Sequence, residues 1–287
     1  SCYEAGGIDA VVSKEILKTL TQADLTMVNE EFPFSVRGVP MEDKQYTFRA
    51  DPVYVSALLE MGVDVVSLAN NHILDYGGEA LTDTFVTLDD AGIAYVGAGA
   101  DKERAGEPFY AECGGRKFAF LAASRVIPVE SWNVDNAVPG VFTTYDGTAL
   151  CNAIEETVFV HWGIEHQADP VDYQRTLARQ YIDAGADLVV GAHTHCLQGI
   201  EFYNGKPVFY SLGNFIFGSS IDRTAALRVT VSESGKAEYA LIPAKAVGGC
   251  TSTLEGNEAE ALFRYMEEIS QGITVDGEGR ILQNTSF

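Results

Sequence analysis

The chain has 287 residues, 46% hydrophobic and 21% charged, which suits one sizeable globular core and argues against a disordered chain. Against 41 acidic residues stand only 19 basic ones, a net charge of −22, so a nucleic-acid or anionic-lipid surface is disfavoured; an anionic substrate needs a cation between itself and the protein. No apolar run reaches the roughly 20 residues of a membrane-spanning helix, and the five cysteines (Cys2, Cys113, Cys151, Cys196, Cys250) form no CxxC pair, which argues against a zinc ribbon or a disulfide framework.

In chain order, residues 23–28 read as a buried strand running into Asn29-Glu30-Glu31. Asp51-Pro52 places a capping carboxylate before a proline at the first helical position; that helix runs to about Met61, Gly62 closes it, and a strand follows over 63–69. A helix over 79–91 ends at Gly92 and leads to a strand over 93–96. Strands are expected at 117–122 and 158–160. Asp169-Pro170 opens another helix with Asp172 in its first turn, ended by Gly185 and followed by a strand at 187–190. Asn204-Gly205 between apolar runs at 199–203 and 207–210 is a strong hairpin pattern. Strands at 226–231 and 238–242 follow, Gly248-Gly249 is read as the point where the C-terminal segment leaves the core, and 258–270 carries Ala261, Leu262, Tyr265, Met266 and Ile269 at helical spacing. Apolar strands alternating with helices predict an α/β protein whose sheet is covered on both faces.

All five histidines lie in three short segments, each after a predicted strand: Asn70-Asn71-His72, His161-Trp162-Gly163-Ile164-Glu165-His166 and His193-Thr194-His195. Ligand sites of α/β sheets form at the carboxyl ends of strands, so these segments are candidates for one crevice. An extended backbone at 193–195 sends both imidazoles to the same side, as one or two metal ions require; the alternative is a polar pair in a turn. His161 is read as a ligand, against the alternative of a satisfied core histidine. The Asn71 carboxamide offers a hard oxygen and His72 a proton for a leaving group, whereas Asn70 and Asn71 can also simply form a turn. Glu30 and Glu31 supply carboxylates; Glu165 and His166 either orient ligands or face water. Tyr210-Ser211-Leu212-Gly213-Asn214-Phe215 places Asn214 near the crevice or packs the turn.

Taken together, Asn29-Glu30-Glu31, Tyr46-Thr47-Phe48-Arg49-Ala50, Ser67-Leu68-Ala69-Asn70-Asn71-His72 with Asp75-Tyr76-Gly77, His161-Trp162-Gly163-Ile164-Glu165, Gly191-Ala192-His193-Thr194-His195 and Tyr210 to Phe215 resemble the CapA family of poly-γ-glutamate capsule-synthesis proteins. The resemblance covers about residues 8–245, read as one domain spanning 1–245, with 246–287 a helical extension packed on it. That family is similar to the calcineurin-like metallophosphatases, which implies a four-layer α/β/β/α sandwich of two facing mixed sheets flanked by helices. The resemblance implies Glu31 (or Glu30) in the place of the carboxylate that bridges two ions, Asn71, His161 and His193 as ligands of one ion and His195 as helping to hold the other, with His72 as proton donor and Glu30, Asn70, Asp75, Glu165 and Asn214 supporting them. The implied cofactor is one or two divalent ions of Mn, Zn, Fe or Mg. The family's opening strand, ending in a Gly-Asp metal ligand, has no counterpart in Ser1-Cys2-Tyr3-Glu4-Ala5-Gly6-Gly7, and Cys151 to Thr157 is short for the helix and strand entry expected there.

The function implied is a metal-dependent hydrolase of capsule or cell-surface polymer metabolism, acting on a phosphoester or a γ-glutamyl polymer. It would work outside the cytoplasm, membrane-anchored in its full-length form, near membrane-bound capsule synthase subunits and without nucleic acid. The rivals are a non-catalytic assembly or polymer-binding subunit and a cytosolic nucleotidase, the latter needing a base-stacking aromatic from among Trp132, Trp162 and Phe215.

Overall fold

The structure is a computed structural model that describes residues 2–135, 138–154 and 156–284. It is mixed α/β and divides into two compact units, one made of Leu20–Trp162 with Asp183–Asp187 and the other of the remaining chain.

In the first unit, the strands Met27–Asn29, Val65–Ser67 and Ala94–Val96 pair in parallel, with Val28 opposite Val66 and Val66 opposite Tyr95. They are shorter than the apolar runs that encode them: the run at 63–69 keeps only its middle as strand, and its far end, Ala69 onward, becomes the turn that bears Asn70 and Asn71. Val65, Val66 and Leu68 are fully buried. Each such side chain contributes about 1.5–3 kcal/mol when fully withdrawn from water. The helix Gly77–Ala91 covers this sheet with Ala80, Leu81, Thr84, Phe85 and Leu88 and ends at Gly92 in the left-handed region, as its pattern predicts. Asp51 accepts a hydrogen bond from Val53 N, so the expected cap is present, although the first turn, Pro52–Tyr54, is a 3-10 turn before the helix Val55–Glu60. A second group of strands in this unit runs Phe109–Cys113 antiparallel to Arg116–Ser124, which lies parallel to Thr157–His161 with Ser124 opposite His161. His161 is thus the last residue of its strand rather than the first after it.

The other unit pairs Leu188–Ala192 in parallel with Lys206–Phe209, and the latter forms the expected hairpin with Ile200–Tyr203. Asn204 and Gly205 sit at φ 50° and 76°, the two left-handed residues of a tight hairpin turn. A long hairpin pairs Ile221–Val231 with Ala237–Val247, and Cys250–Thr253 adds a third strand. Gly248 and Gly249 are the turn between those last two strands, not an exit from the core, because Val247 pairs with Cys250 across it. The helix Asp172–Asp183 begins two residues after Pro170, with Asp172 still in its first turn. The helix Gly256–Ile269 buries Ala259, Leu262, Phe263 and Met266. Among the described residues, no helix is long and apolar enough to cross a membrane.

Candidate functional site

The first unit gathers Asn29, Glu31, Asn70, Asn71, His72, Asp75 and His161 where its strands end. Asn70, fully buried, fixes the turn: its carbonyl oxygen accepts from the backbone N–H of His72 and Ile73, each at 3.0 Å, and its amide donates to Glu30 O at 2.7 Å and Asn29 Oδ1 at 3.3 Å. With its donors and acceptor engaged, Asn70 positions its neighbours rather than serving as a ligand. The next side chain, Asn71, meets the fully buried His161, whose Nε2 is 2.8 Å from Asn71 Oδ1 and 3.5 Å from Glu31 Oε1. Asn29 holds Glu31 in place by donating to its other oxygen at 2.8 Å. Two ligands each about 2.0–2.2 Å from a divalent cation lie roughly 3–3.5 Å apart. The 3.5 Å between His161 Nε2 and Glu31 Oε1 matches that spacing, the 2.8 Å contact with Asn71 Oδ1 is a hydrogen bond that an ion would open slightly, and imidazole, carboxamide and carboxylate are the donor chemistry such an ion requires, so the residues fit it.

His72 belongs to a different arrangement. Its Nδ1 donates to Asp75 Oδ2 at 2.7 Å, and Asp75, fully buried, also accepts from the backbone N–H of Phe48 at 2.7 Å. The Phe48 ring packs on His72 with centroids 4.5 Å apart. Lys44 completes the group: its ammonium donates to Asp75 Oδ1 and to the Asn71 carbonyl oxygen and lies 3.1 Å from His72 Nδ1. Burial pulls this ammonium below the ordinary lysine value, and the hydrogen bond and charge of Asp75 pull it back up. The sequence offers only one hint of Lys44, its place just before the Tyr46 to Ala50 motif.

Glu30 and Glu31 part company. Glu31 faces His161, while Glu30 is 3% exposed with Oε1 unpartnered. Burial above all, then the charge of Glu31, pushes the Glu30 acid well above the ordinary carboxylate value.

In the other unit, His193 and His195 follow the strand Leu188–Ala192, but the backbone there is not extended as expected. His193 has φ 96° and His195 φ 57°, so the two imidazoles are set by a pair of left-handed residues, their ring centroids 6.1 Å apart at 49°. The His195 Nδ1 donates to Asn214 Oδ1 at 2.8 Å, and its Nε2 lies 4.0 Å from Glu165 Oε1. Of the predicted residues, Glu31, Asn71 and His161 belong to the first unit and Glu165, His193, His195 and Asn214 to the other.

The mixed α/β fold recurs in a hypothetical protein from Thermus thermophilus, whose structure matches 84% of this chain and 94% of its own with a TM-score of 0.52 at 19% identity. Residues 6–219 match the family described as bacterial capsule synthesis protein PGA_cap, and the chain belongs to that family. It is similar to the PGA biosynthesis protein CapA of Bacillus subtilis, 34% identical over 77% of this chain and 61% of the relative. It is also similar to the capsule biosynthesis protein CapA of Bacillus anthracis, 31% identical over 86% of this chain and 65% of the relative. A probable polyglutamine synthesis accessory protein of Mycobacterium tuberculosis is 32% identical over 68% of this chain and 56% of its own length. The chain therefore spans about three-fifths of the length of these relatives.

Proposed function

We propose that this chain carries a metal-dependent hydrolase of capsule or poly-γ-glutamate metabolism, acting on a phosphoester or a γ-glutamyl bond. The observation that carries the reading is the meeting of His161 Nε2 with Asn71 Oδ1 at 2.8 Å and Glu31 Oε1 at 3.5 Å. In this reading Glu31, Asn71 and His161 are ligands of one ion, and His193 and His195 serve as metal ligands too. A bound divalent ion of the Mn, Zn, Fe or Mg class supplies Lewis acidity and a more acidic water. The protein's own groups do the rest. Asp75 holds the His72 ring by Nδ1, so that in the doubly protonated ring Nε2 carries the proton that passes to the leaving group, leaving a neutral imidazole still donating from Nδ1 to Asp75. Asn29 and Asn70 keep Glu31 and the Asn71 turn in register, and Lys44 places a positive charge beside the same turn. The setting we assign is extracytoplasmic, with capsule synthase subunits as partners and a membrane anchor in the full-length protein.

A second reading, a non-catalytic subunit of a polymer synthase, is favoured by one finding: the mycobacterial relative is described as an accessory protein. The two separate experimentally. Purified protein is analysed for bound metal and assayed with added Mn²⁺ on phosphodiesters, nucleotides and poly-γ-glutamate. The hydrolase reading expects one or two equivalents of metal and turnover on at least one substrate class, with both reduced in His161→Ala. Bound metal without turnover selects the accessory reading; no metal at all ends the metal reading.

A further inference from the structure

We infer that Phe48 and Tyr46 form a leaving-group subsite beside His72, and that it takes a phosphoester whose leaving group carries a flat, uncharged ring. The subsite rests on the reading above in one respect, that His72 Nε2 faces the leaving group.

Phe48 is fixed against the proton donor. Its N–H donates to Asp75 Oδ2 at 2.7 Å, and the same oxygen holds His72 Nδ1, so the two residues hang from one anchor. Their rings lie with centroids 4.5 Å apart, tilted by 47°. An oxygen at hydrogen-bond distance from Nε2 is therefore within about 9 Å of the Phe48 centroid. Yet Phe48 is 38% exposed. A ring that lies partly on an imidazole and partly in water offers another ring a surface for offset or edge contact.

Tyr46 stands beside it, 61% exposed. Its Cα is within about 7 Å of the Cα atoms of both Lys44 and Phe48, two residues away on either side. Both neighbours are tied to the turn that bears the proton donor, Lys44 through Asp75 and the Asn71 carbonyl oxygen and Phe48 through Asp75. Two residues further on, the Ala50 N–H donates to Pro33 O at 3.0 Å and Ala50 O accepts from the Ser35 N–H at 2.9 Å. Residues 44–49 form no helix or strand, so these bonds are what hold the segment. A single exposed ring needs no explanation. Two rings at alternate positions, on a segment pinned to the proton donor at three points, are presented to whatever that donor serves.

The cations of the segment point elsewhere. Lys44 turns its ammonium to Asp75 and the Asn71 carbonyl oxygen and lies over the Trp132 ring at 5.0 Å. Arg49 stacks on Tyr76 at 4.2 Å and donates to Arg37 O at 2.7 Å. What Phe48 and Tyr46 present is apolar ring surface, which suits a flat neutral group better than the carboxylate-bearing amine that a γ-glutamyl bond releases. The two tryptophans supply no such surface, Trp162 being fully buried and Trp132 7% exposed.

The test titrates the protein in Mn²⁺ with phenylphosphonate and with methylphosphonate, neither of which has an ester to hydrolyse, and measures turnover of phenyl phosphate and methyl phosphate alongside. Wild type is expected to bind the phenyl compound more tightly by about fivefold or more. Tyr46→Ala and Phe48→Leu are expected to keep the wild-type circular dichroism, to weaken phenylphosphonate by about that factor and to weaken methylphosphonate by less. Tyr46→Phe, which keeps the ring, should retain the preference. In turnover, Tyr46→Ala and Phe48→Leu should lower kcat/KM for phenyl phosphate relative to methyl phosphate, a comparison in which the unequal acidities of the two leaving groups cancel between wild type and variant. The subsite is overturned if wild type fails to prefer phenylphosphonate, if both variants keep the preference, or if they weaken the two phosphonates equally. A preference of the expected kind without turnover of any ester keeps the subsite and overturns the hydrolase reading; turnover without the preference does the reverse.

Discussion

Glu30 and Glu31 are adjacent and chemically alike, yet alternation along the chain sends one toward His161 and the other into the interior. The buried one keeps an oxygen without a hydrogen-bond partner and a carboxyl pushed well up by burial. An orphaned buried polar group costs about 1–3 kcal/mol. Glu30→Leu is therefore expected to stabilise the metal-free protein by about that amount, read as a higher unfolding midpoint in urea. The pH dependence has a definite sign. A carboxyl whose folded value is raised above 4.5 keeps its proton in the native state where the unfolded chain has lost it. Stability from this group is therefore full below that value and falls as pH rises through the window above it. The midpoint of the wild type should exceed its neutral value at about pH 5 by more than that of Glu30→Leu does; equal pH slopes in the two proteins would show that Glu30 is ionised in the fold.

Among the elements, the strand ends that carry Asn71 depend on a close approach elsewhere in the same unit. Gly97, at φ 81° between the strands Ala94–Val96 and Ala98–Gly99, has no room for a side chain: a Cβ there would stand 2.5 Å from Ala69 Cβ, 2.8 Å from Ala122 Cβ and 2.9 Å from Ala122 O. Ala69 is the residue before Asn70, so pressure on it is pressure on the turn. Gly97→Ala combines left-handed strain with overpacking against backbone, together about 3 kcal/mol or more. It is expected to lower the melting temperature and to weaken metal binding, whereas Gly92→Ala, which meets nothing within 4 Å, carries only the conformational part. Elements like these show what local chemistry encodes. The Asp51 cap, the Gly92 helix end and the Asn204-Gly205 turn each depend on residues a few positions apart and were legible in the sequence. The sequence also singled out Asn71, in the turn after its strand, and His161, at the end of its strand, and the structure brings their side chains to 2.8 Å of each other. Lys44 was not legible, because its partners Asn71, His72 and Asp75 lie 27 to 31 residues away and residues 36–49 form no helix or strand whose period would announce it. The left-handed backbone at His193 and His195 was also illegible, since histidine, although it takes positive φ more often than most residues, does so only in a small minority of cases and the surrounding contacts decide which.

For the whole chain the deciding quantity is the charge of −22. A poly-γ-glutamate chain is itself a dense row of carboxylates, and two polyanions repel over a Debye length of about 10 Å at 0.1 M salt. Attraction has to come from local cations: Lys44, held at the Asn71 turn, and any divalent ions at the histidines. Bound metal also stabilises the fold by mass action, by about 2.7 kcal/mol at a free concentration one hundred times the dissociation constant. These two consequences are coupled. In EDTA, poly-γ-glutamate should not be retained by immobilised protein at low salt, where repulsion is strongest. Added Mn²⁺ should both raise the melting temperature and produce retention, and His161→Ala should blunt both responses together. If the polymer binds equally well in EDTA, its recognition runs through surface side chains and not through a metal site, and the low-salt repulsion expected from the net charge is overcome by some local patch that Lys44 alone does not supply.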